Sequence, residues 1–272
     1  MPLGLKVSLG FDNAIRRSTS HNVVGVLPGK VRPDEYVLYS AHWDHLGHCT
    51  PDKTGDGICN GAVDNATGTA ALVALAQANV KAGPSDRSQV FLAVTGEESG
   101  LLGSAYYGNN PVFPFSKTVG GVNMDALSVA GLARNVVVIG KGKSQLDAYL
   151  DRALGAQGRV ATLEPTPEKG YYYRSDHFSF AKHGLPMLYF EGGEDLVKGG
   201  TAAGMAAAED YTEHRYHGPK DEYDPNWDWT GVAADLKLYY DVGRALANTT
   251  DWPNWVDGDE FRAIRDKSRA GK

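Results

Sequence analysis

Two adjacent glutamates, Glu97 and Glu98, follow an apolar run at residues 89–94 that has the composition of a buried strand. Neighbouring side chains of an extended backbone point to opposite sides, so one carboxylate can bind a cation while the other faces a substrate. This division suits a hydrolase in which one acid holds a metal ion and the other takes a proton from water. The alternative is a solvated pair of surface charges, and spacing alone does not assign the two roles.

A histidine also falls at the end of a strand-like run. His42 ends the run at residues 34–42, and Asp44 follows two residues later. On an extended backbone the two side chains face the same way, so Asp44 can accept a hydrogen bond from one ring nitrogen of His42 or from a neighbouring group. The other nitrogen is then free for a metal ion. His45 and His48 are further candidates in the same turn, and a polar loop with scattered histidines is the alternative.

Two aspartates complete the candidate set. Asp64 lies just before a helical pattern, where it is either an N-cap or a free carboxylate, because Asn65 or Thr67 could cap the helix equally well. Asp125 ends another short apolar run. Zinc accepts both imidazole nitrogen and carboxylate oxygen. Two such cations about 3.5–4 Å apart need a bridging carboxylate and a bridging hydroxide, and three carboxylates with one hydroxide would neutralise them.

Strand-like runs alternate with helical patterns along much of the chain. The strand-like runs are at residues 5–9, 21–29, 34–42, 88–98, 118–126, 135–140 and 185–193, and the clearest helical patterns are at 66–83, 143–158 and 230–250. This alternation predicts an α/β layer fold with a largely parallel central sheet. Ligand sites of such sheets gather at the carboxyl ends of the strands, which is where these polar residues fall.

Residues 192–228 show no clear periodicity and are predicted to form a long active-site loop. They contain His214 and His217, either of which could be a ligand or a surface histidine. We expect residues 1–272 to form one domain, which could be a piece of a longer precursor. No basic and apolar leader of the secretory type is visible at the N-terminus.

Composition excludes some classes of function. The net charge of −6 and the pI of about 5.7 give no electrostatic case for binding nucleic acid or an anionic membrane. No apolar run reaches the length of a bilayer span. The two cysteines, Cys49 and Cys59, share a short Gly- and Asp-rich loop, and we predict that a disulfide closes it, as would suit an exported protein. The alternative is two free thiols in a cytosolic enzyme.

Several motifs in a fixed order resemble one family. They are SAHWDHLG, NGAVDNATGTAALVALA, TGEESGLLGS, VNMDA, RSDHFSFAKHGLPMLYF and YHGPKDEYD. Together they resemble the co-catalytic di-zinc aminopeptidases, a family that includes secreted bacterial leucyl aminopeptidases, glutamate carboxypeptidases and glutaminyl cyclases. The likeness runs roughly from residue 21 to residue 248. It implies a three-layer α/β/α fold with a central mixed, largely parallel sheet, as in other zinc exopeptidases.

The resemblance also assigns roles that spacing leaves open. It implies five metal ligands: His42 and Asp125 on one zinc ion, Glu98 and His217 on the other, and Asp64 bridging the two. Glu97 would be the general base and acid, and Asp44 would orient His42. Tyr172, three residues before the serine of RSDHF, would stabilise the oxyanion, with Tyr173 as its rival. Arg174 is either a binder of substrate carboxylate or an ordinary surface arginine.

The expected function is therefore that of a zinc-dependent aminopeptidase. It would use two Zn²⁺ ions, which Co²⁺ or Mn²⁺ could replace, and would act on peptides with a free N-terminus. The relatives and the cysteine pair imply a secreted or periplasmic protein. The alternatives on this fold are a one-zinc glutaminyl cyclase, a carboxypeptidase, a dipeptidase or a non-catalytic member, and the sequence leaves the oligomeric state open.

Overall fold

A central sheet organises the molecule, for which a computed structural model describes residues 3–270. Seven strands form this sheet: β1 Val23–Leu27, β2 Arg32–His42, β5 Arg87–Val94, β6 Thr118–Asn123, β7 Asn135–Ile139, β8 Val160–Leu163 and β9 Met187–Gly192. The remaining two, β3 Gly47–His48 and β4 Ile58–Cys59, pair as a small antiparallel hairpin beside it.

The helices are α1 Gly68–Ala82, α2 Leu102–Asn109, α3 Asp147–Gln157, α4 His177–Ala181, α5 Gly200–His214, α6 Thr230–Asn248 and α7 Arg262–Arg269. A kinked turn, Ala62–Thr67, in which Asp64 and Asn65 have non-helical backbones, leads into α1. Short 3-10 turns occur at Phe115–Lys117, Pro167–Lys169 and Tyr171–Tyr173. Within residues 3–270, no helix combines the length and apolarity that a membrane crossing requires.

The strand order explains why several chain segments meet at one edge. The order is β1-β5-β2-β6-β9-β7-β8. The four strands β5, β2, β6 and β9 run parallel, whereas β1 is antiparallel to β5 and β7 is antiparallel to β9. Because parallel strands end on the same side of a sheet, the segments that leave β2, β5 and β6 are brought together. The predicted mixed, largely parallel sheet is confirmed.

Helices cover both faces of the sheet, so the predicted three-layer α/β/α architecture is also confirmed. Successive residues of β2 alternate between the two cores: Val37 and Tyr39 pack with α1, α3 and α6, whereas Leu38 packs with α2 and α4. Each side chain of this kind that is fully buried contributes roughly 1.5–3 kcal/mol. The two cores hold the parallel strands rigidly, and with them the residues at the strand ends.

The expected long loop at residues 192–228 is wrong for its central part, because α5 occupies Gly200–His214. The segment is rich in alanine, which has the highest intrinsic helix propensity. Among the residues of α5 only Gly204 is buried. A helix that buries so little of its surface carries no amphipathic period, which is the signal that sequence reasoning needs.

Two further expectations about strands differ from the structure. Residues 5–9 were expected to form a strand, but residues 3–20 have no secondary structure, and Leu5, Val7 and Leu9 are at least 80% exposed. The alternating pattern is there, yet a strand needs a hydrogen-bonded neighbour. Conversely, the short edge strand β8 gave no clear signal, since none of its side chains is fully buried.

The predicted disulfide between Cys49 and Cys59 is confirmed. It closes the loop between β3 and β4, and the Cα atoms of the two cysteines are 5.9 Å apart. Cys59 is buried and lies against the backbone of His217, with its Sγ 3.6 Å from the carbonyl oxygen of that residue. The disulfide therefore ties down a loop that borders the candidate site.

Candidate metal centre

The carboxyl ends of three parallel strands bring most of the predicted ligands together. His42 is the last residue of β2, Asp125 lies two residues beyond β6, and Glu98 lies in the turn that follows β5. Asp64 lies in the kinked turn before α1. His217 lies after α5, at the far end of the segment that was expected to be a loop.

Three side chains form what we call the inner position: His42, Asp125 and oxygen Oδ1 of Asp64. The Nε2 atom of His42 lies 3.1 Å from Oδ1 of Asp125 and 3.2 Å from Oδ1 of Asp64. All three residues are buried, with exposed fractions of 1%, 8% and 5% respectively. One nitrogen and two carboxylate oxygens at this spacing can share a divalent cation.

The outer position consists of Glu98, His217, His45 and oxygen Oδ2 of Asp64. The Nε2 atom of His217 lies 3.1 Å from Oε2 of Glu98 and 3.3 Å from Oδ2 of Asp64. The Nδ1 atom of His45 lies 2.6 Å from the other oxygen of Glu98. The outer position therefore offers two histidines where the resemblance implies one.

Several nitrogen–oxygen contacts in these two positions would be repulsive without a positive charge between the atoms. The atoms of His45 and Glu98 approach to 2.6 Å without the alignment of a hydrogen bond. Nδ1 of His42 lies 3.0 Å from the backbone oxygen of Asp44, to which it can donate, which leaves the lone pair of Nε2 facing two carboxylates. Lone pairs brought this close repel one another unless a proton or a cation lies between them. The donor set suits zinc, which binds both nitrogen and oxygen.

The pKa values of His42 and Asp64 also indicate that this site favours positive charge. Burial would lower the pKa of His42, but Asp125, Asp44 and Asp64 outweigh burial and raise it far above its usual range. Burial would raise the pKa of Asp64, but His217 and His42 hold it below its usual range. In each case the charged form is stabilised by opposite charge nearby. A bound cation would take the place of the protons on the imidazoles.

Glu97 is the second carboxylate of the turn after β5. Burial, with additional repulsion from Asp125, raises the pKa of Glu97 to about 9. The backbone N–H groups of Glu97 and Glu98 donate to the two carboxylate oxygens of Asp44, at 3.2 and 3.4 Å. Asp44 thus fixes the turn on which both glutamates are carried. A carboxylate that accepts backbone N–H groups in this way is a positioning group.

The expected contact between Asp44 and His42 is made differently from the prediction. The carboxylate of Asp44 lies 3.7 Å from Nδ1 of His42, beyond hydrogen-bonding distance, and it is the backbone oxygen of Asp44 that lies at 3.0 Å. The carboxylate is already engaged by two backbone N–H groups of the neighbouring turn. The sequence left this alternative open, since Asp44 could bond to His42 or to a neighbouring group.

Sequence reasoning missed a chain of hydrogen bonds behind Asp125. Ser175 donates to Oδ2 of Asp125 at 2.7 Å, Asn123 donates to Ser175 at 2.8 Å, and Ser40 donates to Asn123 at 2.7 Å. All of these residues are buried. Hydrogen bonds of this kind orient a ligand and fix which oxygen faces the ion. Small polar residues at the ends of β2 and β6 were the available signal.

A second missed group holds the turn that carries Asp64. The buried carboxylate of Asp221 accepts from the backbone N–H groups of Val63 and Asp64, at 2.9 and 3.0 Å. Asn65 accepts from the backbone of Gly68, at the start of α1, at 3.0 Å and from the backbone of Ala126 at 3.2 Å. Asn65 thus serves the helix terminus, and the Asp64 carboxylate faces the histidines. His48, the remaining candidate in the His42 turn, is exposed in β3.

The predicted oxyanion residue packs in an aromatic cluster. Tyr172 is 8% exposed in an aromatic cluster, with its ring 4.9 Å from that of His177, and Lys143 lies over its ring. Tyr173 is 54% exposed. By contrast, Tyr216 stacks on His217 with ring centroids 3.8 Å apart. Tyr216 was not singled out from sequence, although it directly precedes His217.

Arg174 is exposed next to Ser175 and lies over the ring of Tyr171 at 5.6 Å. Its charge lowers the pKa values of His217 and Tyr216 against the larger effects that raise them. Arg174 therefore lies close enough for its charge to act on the outer position. His214, the alternative to His217 in the sequence analysis, is a surface residue of α5 beside Asp210.

Comparison with known proteins identifies one peptidase family and relatives that are named aminopeptidases. The family model described as Peptidase family M28 matches residues 22–240. The mouse protein "Aminopeptidase NAALADL1" is 32% identical over 130 residues, which is 46% of this chain and 16% of that protein. "Aminopeptidase YwaD" of Bacillus subtilis is 33% identical over 95 residues, 35% of this chain and 18% of that protein. The match thus spans less than a fifth of each of these relatives.

Solved structures share the fold at lower identity. BSAP, a zinc aminopeptidase from Bacillus subtilis, aligns with a TM-score of 0.63 at 20% identity, over 88% of this chain and 53% of that chain. A glutaminyl cyclase from an Acidobacteriales bacterium aligns with a TM-score of 0.56 at 17% identity, over 83% of this chain and 73% of that chain. These likenesses concern the architecture, and the chain spans about half the length of the aminopeptidase.

Proposed function

Because this chain belongs to Peptidase family M28, we propose that it is a zinc-dependent aminopeptidase that removes N-terminal residues from peptides at a site of two zinc ions. The observation that carries the proposal is the Asp64 carboxylate. Its Oδ1 lies 3.2 Å from His42 and its Oδ2 lies 3.3 Å from His217. A carboxylate whose two oxygens face two separate histidines is suited to bridge two cations.

In this proposal His42 and Asp125 hold the inner ion, Glu98 and His217 hold the outer ion, and Asp64 contacts both. His45 is a further candidate ligand of the outer ion because of its contact with Glu98. Bound zinc would polarise the scissile carbonyl and supply a bridging hydroxide as nucleophile, and Co²⁺ or Mn²⁺ could replace it. Everything else in the reaction depends on the side chains around the ions.

Glu97 is the general base and acid of the proposed reaction. Its carboxylate takes a proton from the attacking water and gives it to the leaving amine. With the neighbouring carboxylates neutralised by bound cations, Glu97 ionises more readily than its pKa of about 9 indicates. Asp44 acts through Glu97 as a positioning residue, because it holds the backbone of the glutamate turn.

Two tyrosines compete for the role of oxyanion donor. Tyr172 has the position that the resemblance implies, whereas Tyr216 stacks directly on the ligand His217. Tyr172→Phe and Tyr216→Phe are matched variants, since each removes only one phenolic O–H. We expect kcat to fall on the order of a hundredfold for the donor and to stay within about twofold for the other. If neither variant slows turnover, neither Tyr172 nor Tyr216 stabilises the oxyanion.

The substrate and location belong to the same proposal. The named relatives are called aminopeptidases, which supports a peptide with a free N-terminus as substrate. The Cys49–Cys59 disulfide supports a secreted or periplasmic protein, because such bonds persist in oxidising compartments. We also propose that residues 1–272 form one peptidase domain.

The test combines metal analysis with a substrate panel. The purified protein is stripped with a chelator, reloaded with zinc, and assayed for bound ions and for hydrolysis of aminoacyl anilides with free and blocked N-termini. We expect two ions per chain, loss of activity on stripping and no cleavage of the blocked compounds. A single ion together with cyclisation of N-terminal glutamine would indicate a glutaminyl cyclase instead.

Glu97→Gln separates metal binding from catalysis in the same assay. We expect this variant to hold two zinc ions and to hydrolyse the best substrate at least a thousandfold more slowly, on the order of what a general base and its charge contribute. Near-normal hydrolysis by Glu97→Gln would exclude the proposed mechanism, whatever the metal content.

A further inference from the structure

A carboxylate that the proposed reaction does not use lies beside the inner position. Glu191 is in β9, two residues beyond Tyr189, and Tyr189 pairs with Asn123 of the parallel strand β6. Asp125, a proposed ligand of the inner position, lies two residues beyond Asn123. Adjacent strands are about 4.8 Å apart, so the chain brings Asp125 and Glu191 close together. Asp125 is also the charged group that acts most strongly on Glu191.

Glu191 is on the face of the sheet that carries the candidate ligands. Leu188 and Phe190 of β9 belong to the same core as Ala41 of β2, on the side of α1, α3 and α6. Because successive side chains of a strand alternate between the two faces, Glu191 and His42 both point to the opposite side. The carboxylate of Glu191 and the inner position therefore share one face at one edge of the sheet.

An apolar surface adjoins Glu191 on this face. Val137 of the antiparallel strand β7 pairs with Glu191, and Ile139 pairs with Tyr189. Side chains paired in this way lie on one face, with their Cβ atoms roughly 4.5–5.5 Å apart. Val137, Ile139 and Tyr189 pack in one cluster of apolar side chains. Tyr189 and Glu191 are only partly buried, so a ligand can reach both the aromatic ring and the carboxylate.

The charge of Glu191 is not balanced within the part of the chain that the structure describes. Its carboxylate forms no hydrogen bond or ion pair with another residue of the range 3–270. The charged groups that act on it most strongly are all acids: Asp125, Asp235, Glu164 and Glu194. By contrast, Asp235 is paired with Arg159 at 2.7 Å. Burial, with repulsion from Asp125, raises the pKa of Glu191 to about 8, and a cation would stabilise its ionised form.

We propose that Glu191 binds the cationic side chain of an N-terminal lysine or arginine, which makes peptides with a basic first residue the preferred substrates. This inference rests on the proposed aminopeptidase function. With the scissile carbonyl at the metal centre, the side chain of the first residue extends along the sheet face across Tyr189. Lysine and arginine have an apolar stem and a charged head. The stem contacts Tyr189, Val137 and Ile139, and the head forms a charge-assisted hydrogen bond with Glu191.

Two substrates that differ in charge test the proposal. Norleucine anilide has the unbranched carbon chain of lysine anilide without its ammonium group. We expect the zinc-loaded protein to hydrolyse lysine anilide with a kcat/KM about ten- to hundredfold higher than that for norleucine anilide, on the scale of one hydrogen bond to a charged group. Arginine anilide should resemble lysine anilide.

Glu191→Gln removes the charge and keeps the size of the side chain. We expect the kcat/KM values for lysine and norleucine anilide to come within about threefold of each other in this variant, with the value for norleucine anilide nearly unchanged. Glu194→Gln is the matched control, because it removes a carboxylate from the same segment and should keep the preference. Both variants should hold two zinc ions per chain, which excludes damage to the metal centre as the cause.

Calorimetry gives a measurement that does not depend on turnover. Zinc-loaded Glu97→Gln should bind lysine amide about ten- to hundredfold more tightly than norleucine amide. The double variant Glu97→Gln/Glu191→Gln should bind the two amides equally.

The outcomes separate this inference from the function on which it rests. Equal kcat/KM values for lysine and norleucine anilide in the unaltered chain would overturn the role of Glu191 and leave the aminopeptidase function intact. A preference for lysine that persists in Glu191→Gln would overturn it as well, because another group would then bind the cation. If the zinc-loaded protein cleaves no anilide, the proposed function fails, and equal binding of the two amides would show that Glu191 binds no cationic side chain either.

Discussion

The inner and outer positions of the proposed metal centre use the same residue types, but the protein holds them in different ways. The proposed ligands of the inner position, His42 and Asp125, sit at or just beyond the ends of two adjacent parallel strands, and both are buried. The ligands of the outer position lie on turns. The side chain of His217 is 35% exposed, and its backbone has a φ of 56°.

This difference shows where the sheet does the positioning and where loops must do it. At the inner position the backbone of the sheet fixes the ligands, and the hydrogen bond from Ser175 orients Asp125. At the outer position the backbone of His217 is in the left-handed region, which non-glycine residues seldom adopt outside turns and functional sites. The buried Cys59 lies against the backbone of His217, and the buried Asp221 holds the turn that carries Asp64. We therefore expect the inner ion to be bound more tightly than the outer ion.

The largest effect should separate the two positions directly. His42→Ala removes the nitrogen donor of the inner position, and we expect zinc affinity at that position to fall on the order of a thousandfold. His217→Ala should release only the outer ion and leave one zinc per chain. Zinc content after dialysis and titration against a competing chelator measure both effects.

His214→Ala is the matched control, since His214 is a surface residue near His217 in sequence. It should bind two ions with unchanged affinity. His45→Ala decides which histidine matters at the outer position: a loss equal to that of His217→Ala makes His45 a ligand as well. Loss of both ions in His42→Ala and His217→Ala alike would show that the two positions are not separable.

A smaller effect should come from the residue behind the inner ligand. Ser175→Ala removes the hydrogen bond to Oδ2 of Asp125, and loss of such an orienting contact costs about ten- to hundredfold in metal affinity. The outer position should be unaffected. Ser179→Ala is the control, because Ser179 is equally buried but pairs with Ser104. Equal losses in the two serine variants would point to general destabilisation of α4.

The same contrast explains how much could be predicted from sequence. The inner ligands His42 and Asp125 follow apolar runs, and parallel strands end together, so their convergence follows from elementary rules. His217 and the choice between Glu97 and Glu98 depended on the resemblance to a family. The spacing of residues along the chain does not reveal that the loop after α5 brings His217 back to the strand ends.

The missed features share a physical cause. The contact of His45 with Glu98 depends on the path of a tight turn, and that of Ser175 with Asp125 joins parts of the chain that only the fold brings together. Helix α5 gave no period because it buries almost nothing. Residues 5–9 gave a clear period, but a pattern identifies a strand without identifying its neighbour. Sequence patterns indicate which residues are buried, whereas these features depend on which particular residues come into contact.

The pH dependence of zinc binding should sharpen the comparison further. In the protein without ions the pKa of His42 is raised, and that of Glu97 is raised to about 9, so both carry a proton at neutral pH. A cation disfavours the protonated forms and expels these protons. Zinc affinity should therefore rise with pH between pH 6 and 8, by about tenfold per pH unit for each proton released.

Glu97→Gln isolates the contribution of one proton. Glutamine cannot release a proton, so the slope of the logarithm of zinc affinity against pH should decrease by about one for this variant, and His214→Ala should keep the full slope. Chelator competition at several pH values, with proton release measured by calorimetry in buffers of different ionisation enthalpy, gives both quantities. An unchanged slope in Glu97→Gln would mean that Glu97 does not change its protonation state when the ions bind.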